Sequence, residues 1–245
     1  MNQNKKICVI GLGYIGLPTA ALLANRGYSV HGVDVVASTV DIINQGKIHI
    51  VEPDLDTFVR AAVNSGNLKA SLTPDVADVF IIAVPTPFHE GYVPNVDYVV
   101  SATKAIAPFV KEGDIVILES TSPVGTTDLV GETLKEQGVD TSKLFIAHCP
   151  ERVLPGHIMR ELVENDRIVG GLTSEATEKT VEFYKTFVSG AVLSTDARTA
   201  EMAKLTENSF RDTNIAFANE LSILCDKFGI DVWELIKLTN RHPRV

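Results

Sequence analysis

The sequence predicts an α/β protein: a doubly wound parallel sheet, Rossmann-like, followed by a long helix. Three observations carry this. Short, continuously apolar runs alternate with helix-patterned segments from Ile7 to Leu193, with short connections between them. A G-x-G-x-x-G turn, Gly11-Leu12-Gly13-Tyr14-Ile15-Gly16, sits between the first apolar run and the first helical segment. From Arg198 to Lys227 the chain holds neither Pro nor Gly and reads as a single helix of about 30 residues, spanning roughly 45 Å.

In chain order, Ile7 to Ile10 reads as a buried strand and Tyr14 to Arg26, rich in Ala and Leu, as a helix. Between them Gly11 permits a tight turn, Gly13 has no side chain to obstruct a pyrophosphate, and Gly16 lets the helix lie close on the strand. The helix start, with Tyr14 and Ile15 in its approach, offers free N–H groups and the positive end of its dipole to phosphates. Ser29 to Val33 is a second strand, ending in Asp34. An acid there accepts hydrogen bonds from adenosine ribose hydroxyls and repels a 2′-phosphate. No Arg stands among Val35, Val36 and Ala37, so NAD is expected over NADP. Strand, turn, helix, strand and acid in that order outweigh the alternative of a glycine turn that merely packs tightly.

Ser38 to Gly46 follows as a helix with a glycine stop. Lys47 to Asp54 is a loop, with Pro53 at the expected start of a helix carrying Leu55, Phe58, Val59, Ala62 and Val63. Leu68 to Leu72 and Val79 to Val84 are strands, the second of the buried parallel kind. Pro85-Thr86-Pro87 can neither extend the strand nor start a helix. The result is a rigid loop at a strand's carboxyl end, the edge where open α/β sheets bind ligands. Pro85 and Thr86 are therefore expected to contact the cofactor, against the alternative of a simple turn. Val96 to Val110 is a helix and Ile115 to Leu118 a strand, running into the hydroxyl-rich stretch Glu119 to Thr126. Next come a helix to about Gln137, a strand Leu144 to Ala147, a loop His148 to Gly156 and a strand Arg167 to Val169. A helix with Ser174 as its N-cap reaches Phe187, and Ala191 to Leu193 is a short last strand.

On the long helix, Met202, Leu205, Phe210, Ile215, Phe217, Leu221 and Leu224 cover much of the circumference, which predicts burial between elements. Lys204, Asn208 and Arg211 fall on one face. A polar stripe on an apolar helix is costly unless paired or used, so a site is favoured over a solvated stripe. A second helix, Asp231 to Thr239, leads to Asn240-Arg241-His242-Pro243-Arg244-Val245.

Composition bounds the partners. With 245 residues, 45% hydrophobic and 22% charged, the chain can bury a proper core. Its net charge of −9 suits neither nucleic acid nor an anionic membrane. No apolar stretch of about 20 residues is present, and the N-terminus carries no signal-peptide pattern. The three widely separated cysteines, Cys8, Cys149 and Cys225, fit no disulfide framework and no metal motif; they fit a reducing cytoplasm.

Five motifs in order carry a resemblance. Gly11–Pro18, Val84–Pro87, Glu119–Thr126, Cys149–Gly156 and Lys204–Asp212 together resemble the UDP-glucose/UDP-N-acetylmannosamine dehydrogenase family over the whole chain. Ile48–Leu55 and Asn214–Leu221 look most like its UDP-N-acetyl-D-mannosamine branch, which makes the corresponding uronate for surface polysaccharides. The resemblance implies residues 1–196 as the NAD-binding domain and 197–245 as the start of a helical dimerisation domain. It implies oxidation of a sugar C6 alcohol to a carboxylate with two NAD, through an aldehyde and a cysteine thioester. By motif, Thr121 (also near the cofactor) and Glu151 hold or activate water, with Glu151 a general base. Lys204 stabilises developing negative oxygen, and Asn208 binds the sugar or that same oxygen. Arg152, Val153 and Leu154 cradle the substrate, Arg211 belongs to the polar stripe, and Arg244 or Arg241 meets the UDP phosphates.

One departure bears on activity. The family's nucleophile lies in a Gly-Gly-x-Cys motif beyond the position of Val245, and neither it nor the C-terminal UDP-binding domain is in this sequence. None of the three cysteines stands in that context, so a truncated chain without complete four-electron oxidation is expected. The alternatives are a UDP-glucose or UDP-N-acetylglucosamine dehydrogenase, a 3-hydroxyacid dehydrogenase (against which Cys149-Pro150-Glu151 argues), and an NAD-binding, dimerising fragment. The resemblance makes the long helix the dimer contact.

Overall fold

The computed structural model describes residues 5–243. They fall into two compact units, the first running to Lys204 and the second beginning at Leu205. In the first, eight strands form one sheet: β1 (Lys6–Ile10), β2 (Ser29–Val33), β3 (Leu68–Ser71), β4 (Val79–Ile82), β5 (Ile115–Leu118), β6 (Phe145–His148), β7 (Arg167–Gly171) and β8 (Val192–Asp196). Their order is β3-β2-β1-β4-β5-β6-β7-β8.

Side chains alternate across the sheet. Ile7, Val9, Val79, Ile81, Ile115 and Ile117 face a layer made by α1 (Gly16–Asn25), α2 (Ala37–Asn44), α3 (Leu55–Asn64), α6 (Ile158–Glu164) and α7 (Ser174–Tyr184). Cys8, Ile10, Phe80, Ile82, Val116 and Leu118 face α4 (Asp97–Ile106) and α5 (Thr126–Glu136). Burial on both faces is why these strands read as unbroken apolar runs rather than alternating ones.

The sheet is mostly parallel. From β3 to β6 every pairing is parallel, but β7 runs antiparallel to β6, through Ala147↔Gly171 and His148↔Gly170, and β8 follows β7. The cause lies in the link between β6 and β7. Its short helix α6, which the sequence pattern does not mark, packs in the layer of α1, and the chain re-enters the sheet from the edge at which β6 ended. Glu52 holds the helix there, accepting N–H bonds from Gly156 and Ile158, both at 2.9 Å. Helix starts also differ from expectation, α1 beginning at Gly16 rather than Tyr14. Thr173, not Ser174, caps α7, because Thr173 is extended and its hydroxyl accepts the Ala176 N–H at 3.1 Å. The helix expected at Pro53 begins at Leu55, after Asp54 turns the chain with φ of 65°.

The long helix α8 (Ala197–Phe228) starts in the first unit and continues through the second, which adds α9 (Val232–Thr239). Gly229, at φ 66°, ends α8, and the Asp231 carboxylate caps α9 through the Trp233 N–H at 2.9 Å. The burial expected for the apolar surface of α8 is not found: Phe210, Ile215 and Phe217 are exposed, and Cys225 is buried. Two helices alone supply no further layer to cover that surface. No helix among the described residues is long and apolar enough to cross a membrane.

Candidate active site

The glycine turn after β1 separates into positions set by the fold and one that is open. At Gly11, φ is +91° and a Cβ would lie 2.5 Å from the Ala83 carbonyl oxygen. At Gly16 it would lie 1.7 Å from the carbonyl oxygen of Gly11. Only glycine fits either. At Gly13 a Cβ would meet nothing within 4 Å. That glycine leaves room for a phosphate to approach the backbone, so the turn fits a dinucleotide. The start of α1, approached by half-exposed Tyr14 and by Ile15, has no side-chain cap and no acid in its first turn. Its orphan N–H groups are therefore left for an anion.

Asp34 stands at the end of β2 and is tied to this turn. Its two carboxylate oxygens accept N–H bonds from Leu12, at 3.0 Å, and Val36, at 2.9 Å. A carboxylate has about four lone-pair sites, so ribose hydroxyls can still be accepted. At the next crevice the loops after β4 and β5 are locked together. The Thr86 hydroxyl donates to the Thr121 carbonyl, and the Ser120 hydroxyl donates to the Val84 carbonyl at 2.7 Å. Pro85 is exposed beside them.

Beyond β6 the loop carries Glu151, Arg152, Val153 and Leu154. Glu151 is buried, and each oxygen has a partner: the Arg152 N–H at 2.6 Å, and the Arg167 guanidinium Nη1 at 2.6 Å. Arg152 reaches the Asp166 carbonyl at 2.9 Å, Val153 packs on the core, and the Leu154 N–H donates to Glu161 at 2.8 Å. Arg167 also lies 5.7 Å from the Tyr184 ring centre. The Tyr184 hydroxyl donates to Glu119 at 2.7 Å, and the other Glu119 oxygen is buried without a hydrogen-bond partner. Burial, partly offset by Arg167, pushes the Glu119 carboxyl up to about 7. His148, wholly buried with neither ring nitrogen bonded, is pushed down to about 4 by burial.

The cysteines are not placed for attack. All three are buried thiols, and burial pushes Cys8 and Cys149 each up to about 12, far from the thiolate a nucleophile needs. Among the described residues no group of three or more His, Cys, Asp or Glu could hold a metal ion.

Lys204 lies half-buried on the first part of α8, in the first unit. Asn208 and Arg211 follow on the same helix in the second unit; Asn208 is half-buried, Arg211 is exposed, and the two approach at 3.5 Å. Arg244 lies outside the described residues. The structure thus joins Gly11–Gly16 to Asp34, Thr86 to Thr121, and Glu151 to the 152–154 loop. Arg167 and Tyr184 complete the arrangement around Glu151 and Glu119, and neither is singled out by the sequence pattern. An Arg opening an otherwise apolar strand was the one available signal of a buried pair.

Residues 5–188 match the NAD binding domain of the UDP-glucose/GDP-mannose dehydrogenase family, and residues 198–245 match its central domain. The chain is 62% identical to UDP-N-acetyl-D-mannosamine dehydrogenase of Campylobacter jejuni, over 100% of this chain and 63% of that protein. It is 58% identical to NDP-N-acetyl-D-galactosaminuronic acid dehydrogenase of Ralstonia nicotianae, over 98% of this chain and 59% of that one. The solved UDP-N-acetyl-mannosamine dehydrogenase Cap5O of Staphylococcus aureus superimposes with a TM-score of 0.91 at 46% identity, covering 98% of this chain and 59% of its own. The chain therefore spans about three-fifths of the length of these relatives. With its glycine turn, acid-capped second strand and NAD-binding domain, the chain belongs to the UDP-glucose/GDP-mannose dehydrogenase family.

Proposed function

We propose that this chain is the NAD-binding part of a dehydrogenase that oxidises the C6 alcohol of UDP-N-acetyl-D-mannosamine to the uronate for surface polysaccharide. The observation that carries the reading is the open position at Gly13, flanked by two glycines that only the fold requires and by an acid fixed to the same turn. The 62% identity to a UDP-N-acetyl-D-mannosamine dehydrogenase supports the sugar.

NAD, when bound, supplies the hydride acceptor. Gly11, Gly13, Tyr14, Ile15 and Gly16 would hold its pyrophosphate and Asp34 its adenosine ribose; Pro85, Thr86 and Thr121 would contact its remainder. Thr121 and Glu151 hold water, with Glu151 as the general base and Arg167 fixing its direction. Lys204 stabilises negative charge developing on oxygen. Asn208 binds the sugar or that oxygen, Arg152, Val153 and Leu154 cradle the substrate, Arg211 belongs to the same polar stripe as Lys204 and Asn208, and Arg244 or Arg241 meets the UDP phosphates. The NAD-binding domain ends at 196 and the helical domain begins at 197. The exposed apolar surface of α8 supports a homodimer contact, and the unpaired cysteines support a cytoplasmic location. With every cysteine buried, the 245-residue chain binds NAD without completing the oxidation.

Calorimetric titration of the chain tests the cofactor. Saturable binding of NAD and none of NADP is expected, and no binding of either overturns the reading. The sugar is tested by NAD reduction with the whole enzyme, offered UDP-N-acetylmannosamine, UDP-N-acetylgalactosamine, UDP-glucose and UDP-N-acetylglucosamine. Preference for any but the first replaces the proposed substrate. Sedimentation of the chain reports whether it pairs.

A further inference from the structure

Helix α5 begins without a cap of its own: Gly125, at φ 97°, precedes it and has no side chain to offer. The cap arrives from 74 to 76 residues along the chain. The Glu201 carboxylate, wholly buried, accepts the Gly125 N–H at 2.6 Å, the Thr127 N–H at 2.7 Å and the Thr127 hydroxyl at 2.6 Å. A buried carboxylate is tolerated where donors surround it and a helix N-terminus faces it. Three residues before Glu201, Arg198 pairs with Asp128 in the first turn of α5, at 3.0 Å.

These bonds close a frame. The stretch Glu119–Gly125 is fastened at its beginning, where the Glu119 N–H reaches the Ile82 carbonyl at 2.9 Å and the Ser120 hydroxyl reaches Val84 at 2.7 Å. Thr86 then holds the Thr121 carbonyl. The far end is fastened by Glu201. Lys204 lies one turn further along the same helix as that carboxylate.

We propose that Glu201 is a positioning residue: it registers the first turns of α8, and Lys204 with them, to the loop Glu119–Gly125 that carries Thr121. The inference rests on reading that loop as part of the cofactor site. A carboxylate suits the task because all three donors point at it and it offers only acceptors; an amide in its place would turn an NH2 group toward one of them.

Two measurements on the 245-residue chain test this, with Glu201→Gln, Glu201→Asp and the milder Thr127→Val, which deletes only the hydroxyl bond. Hydrogen exchange without NAD should show the amides of Gly125 and Thr127 opening at least about tenfold faster in Glu201→Gln, while β4 and β5 stay protected. NAD titration should then show about tenfold weaker binding, as for a loop correctly placed about a tenth of the time. Thr127→Val should fall between, as should Glu201→Asp, which keeps the charge. Faster exchange with unchanged NAD affinity would overturn positioning and leave a simple helix cap. Unchanged exchange would overturn any hold of Glu201 on the loop. Failure of the unaltered chain to bind NAD would overturn the cofactor reading instead, and the exchange result would still decide whether Glu201 fixes the loop. If the Glu201 variants do not fold, Thr127→Val decides by the same two readings.

Discussion

Glu119 makes the stability of the first unit depend on pH, in a direction opposite to that of most surface carboxylates. Its surroundings are Tyr184 donating to one oxygen, an unpartnered second oxygen, and the nearby Arg167, Glu151 and Cys149. Burial raises its carboxyl from an ordinary 4.5 to about 7. A raised acid binds its proton more tightly in the folded chain than in the unfolded one. The stabilisation is complete below 4.5 and is lost as pH rises through 7. At about 1.4 kcal/mol per pH unit this interval is worth about 3 kcal/mol. Glu119→Gln keeps an oxygen for Tyr184 and removes the titration. Its stability relative to the unaltered chain should therefore rise by about 3 kcal/mol between pH 4.5 and pH 8. Fluorescence of the single Trp is the wrong probe, because Trp233 lies in the second unit. The slowest amides of β4 and β5 are the right ones. Comparing the two chains at each pH cancels the intrinsic exchange chemistry, so the ratio of protection should change by roughly a hundredfold. A ratio constant across this range would refute the assignment of a raised Glu119.

Three further outcomes follow from the same geometry. Arg167→Met strands the Glu151 carboxylate, which is 7% exposed beside it, and should cost about 3–5 kcal/mol in urea unfolding followed by far-UV circular dichroism; replacing Glu151 by Leu as well should recover most of the loss. Gly13→Ala should leave stability within about 0.5 kcal/mol while sharply weakening NAD binding, since its Cβ meets only open space; Gly16→Ala should fail to fold, and equal effects from both would remove the distinction. Asp34→Asn can still accept one of the Leu12 and Val36 amides, so the chain should fold, but its preference for NAD over NADP in calorimetry should shrink at least about tenfold.

What was legible in the sequence was local. The turn Gly11–Gly16 is written in its own residues, because glycine stereochemistry and a strand-then-helix pattern act within a few positions. So are the two loops at Pro85–Pro87 and Glu119–Thr126, where prolines end one strand and hydroxyls follow another, though not the bonds that lock them together across about 35 residues. What was illegible acts at a distance. Glu52 serves amides 104 and 106 residues away, and Glu201 serves amides 74 and 76 residues away. In sequence both look like ordinary surface acids. The antiparallel β7 was hidden too, since an apolar strand pattern carries no sign of the direction in which the strand joins the sheet. The apolar surface of α8 was read correctly as apolar, but burial also needs a partner layer, and periodicity within one helix says nothing of that.

The two thiols raised by burial lie on opposite faces of the sheet: Cys8 against the layer of α4 and α5, Cys149 against that of α1 and α7. Neither is exposed in the folded chain. Each can be reached by an alkylating reagent only when its own layer lifts. The chain thus carries two internal clocks, and the times at which each thiol is captured order the departure of the two layers without any label being introduced.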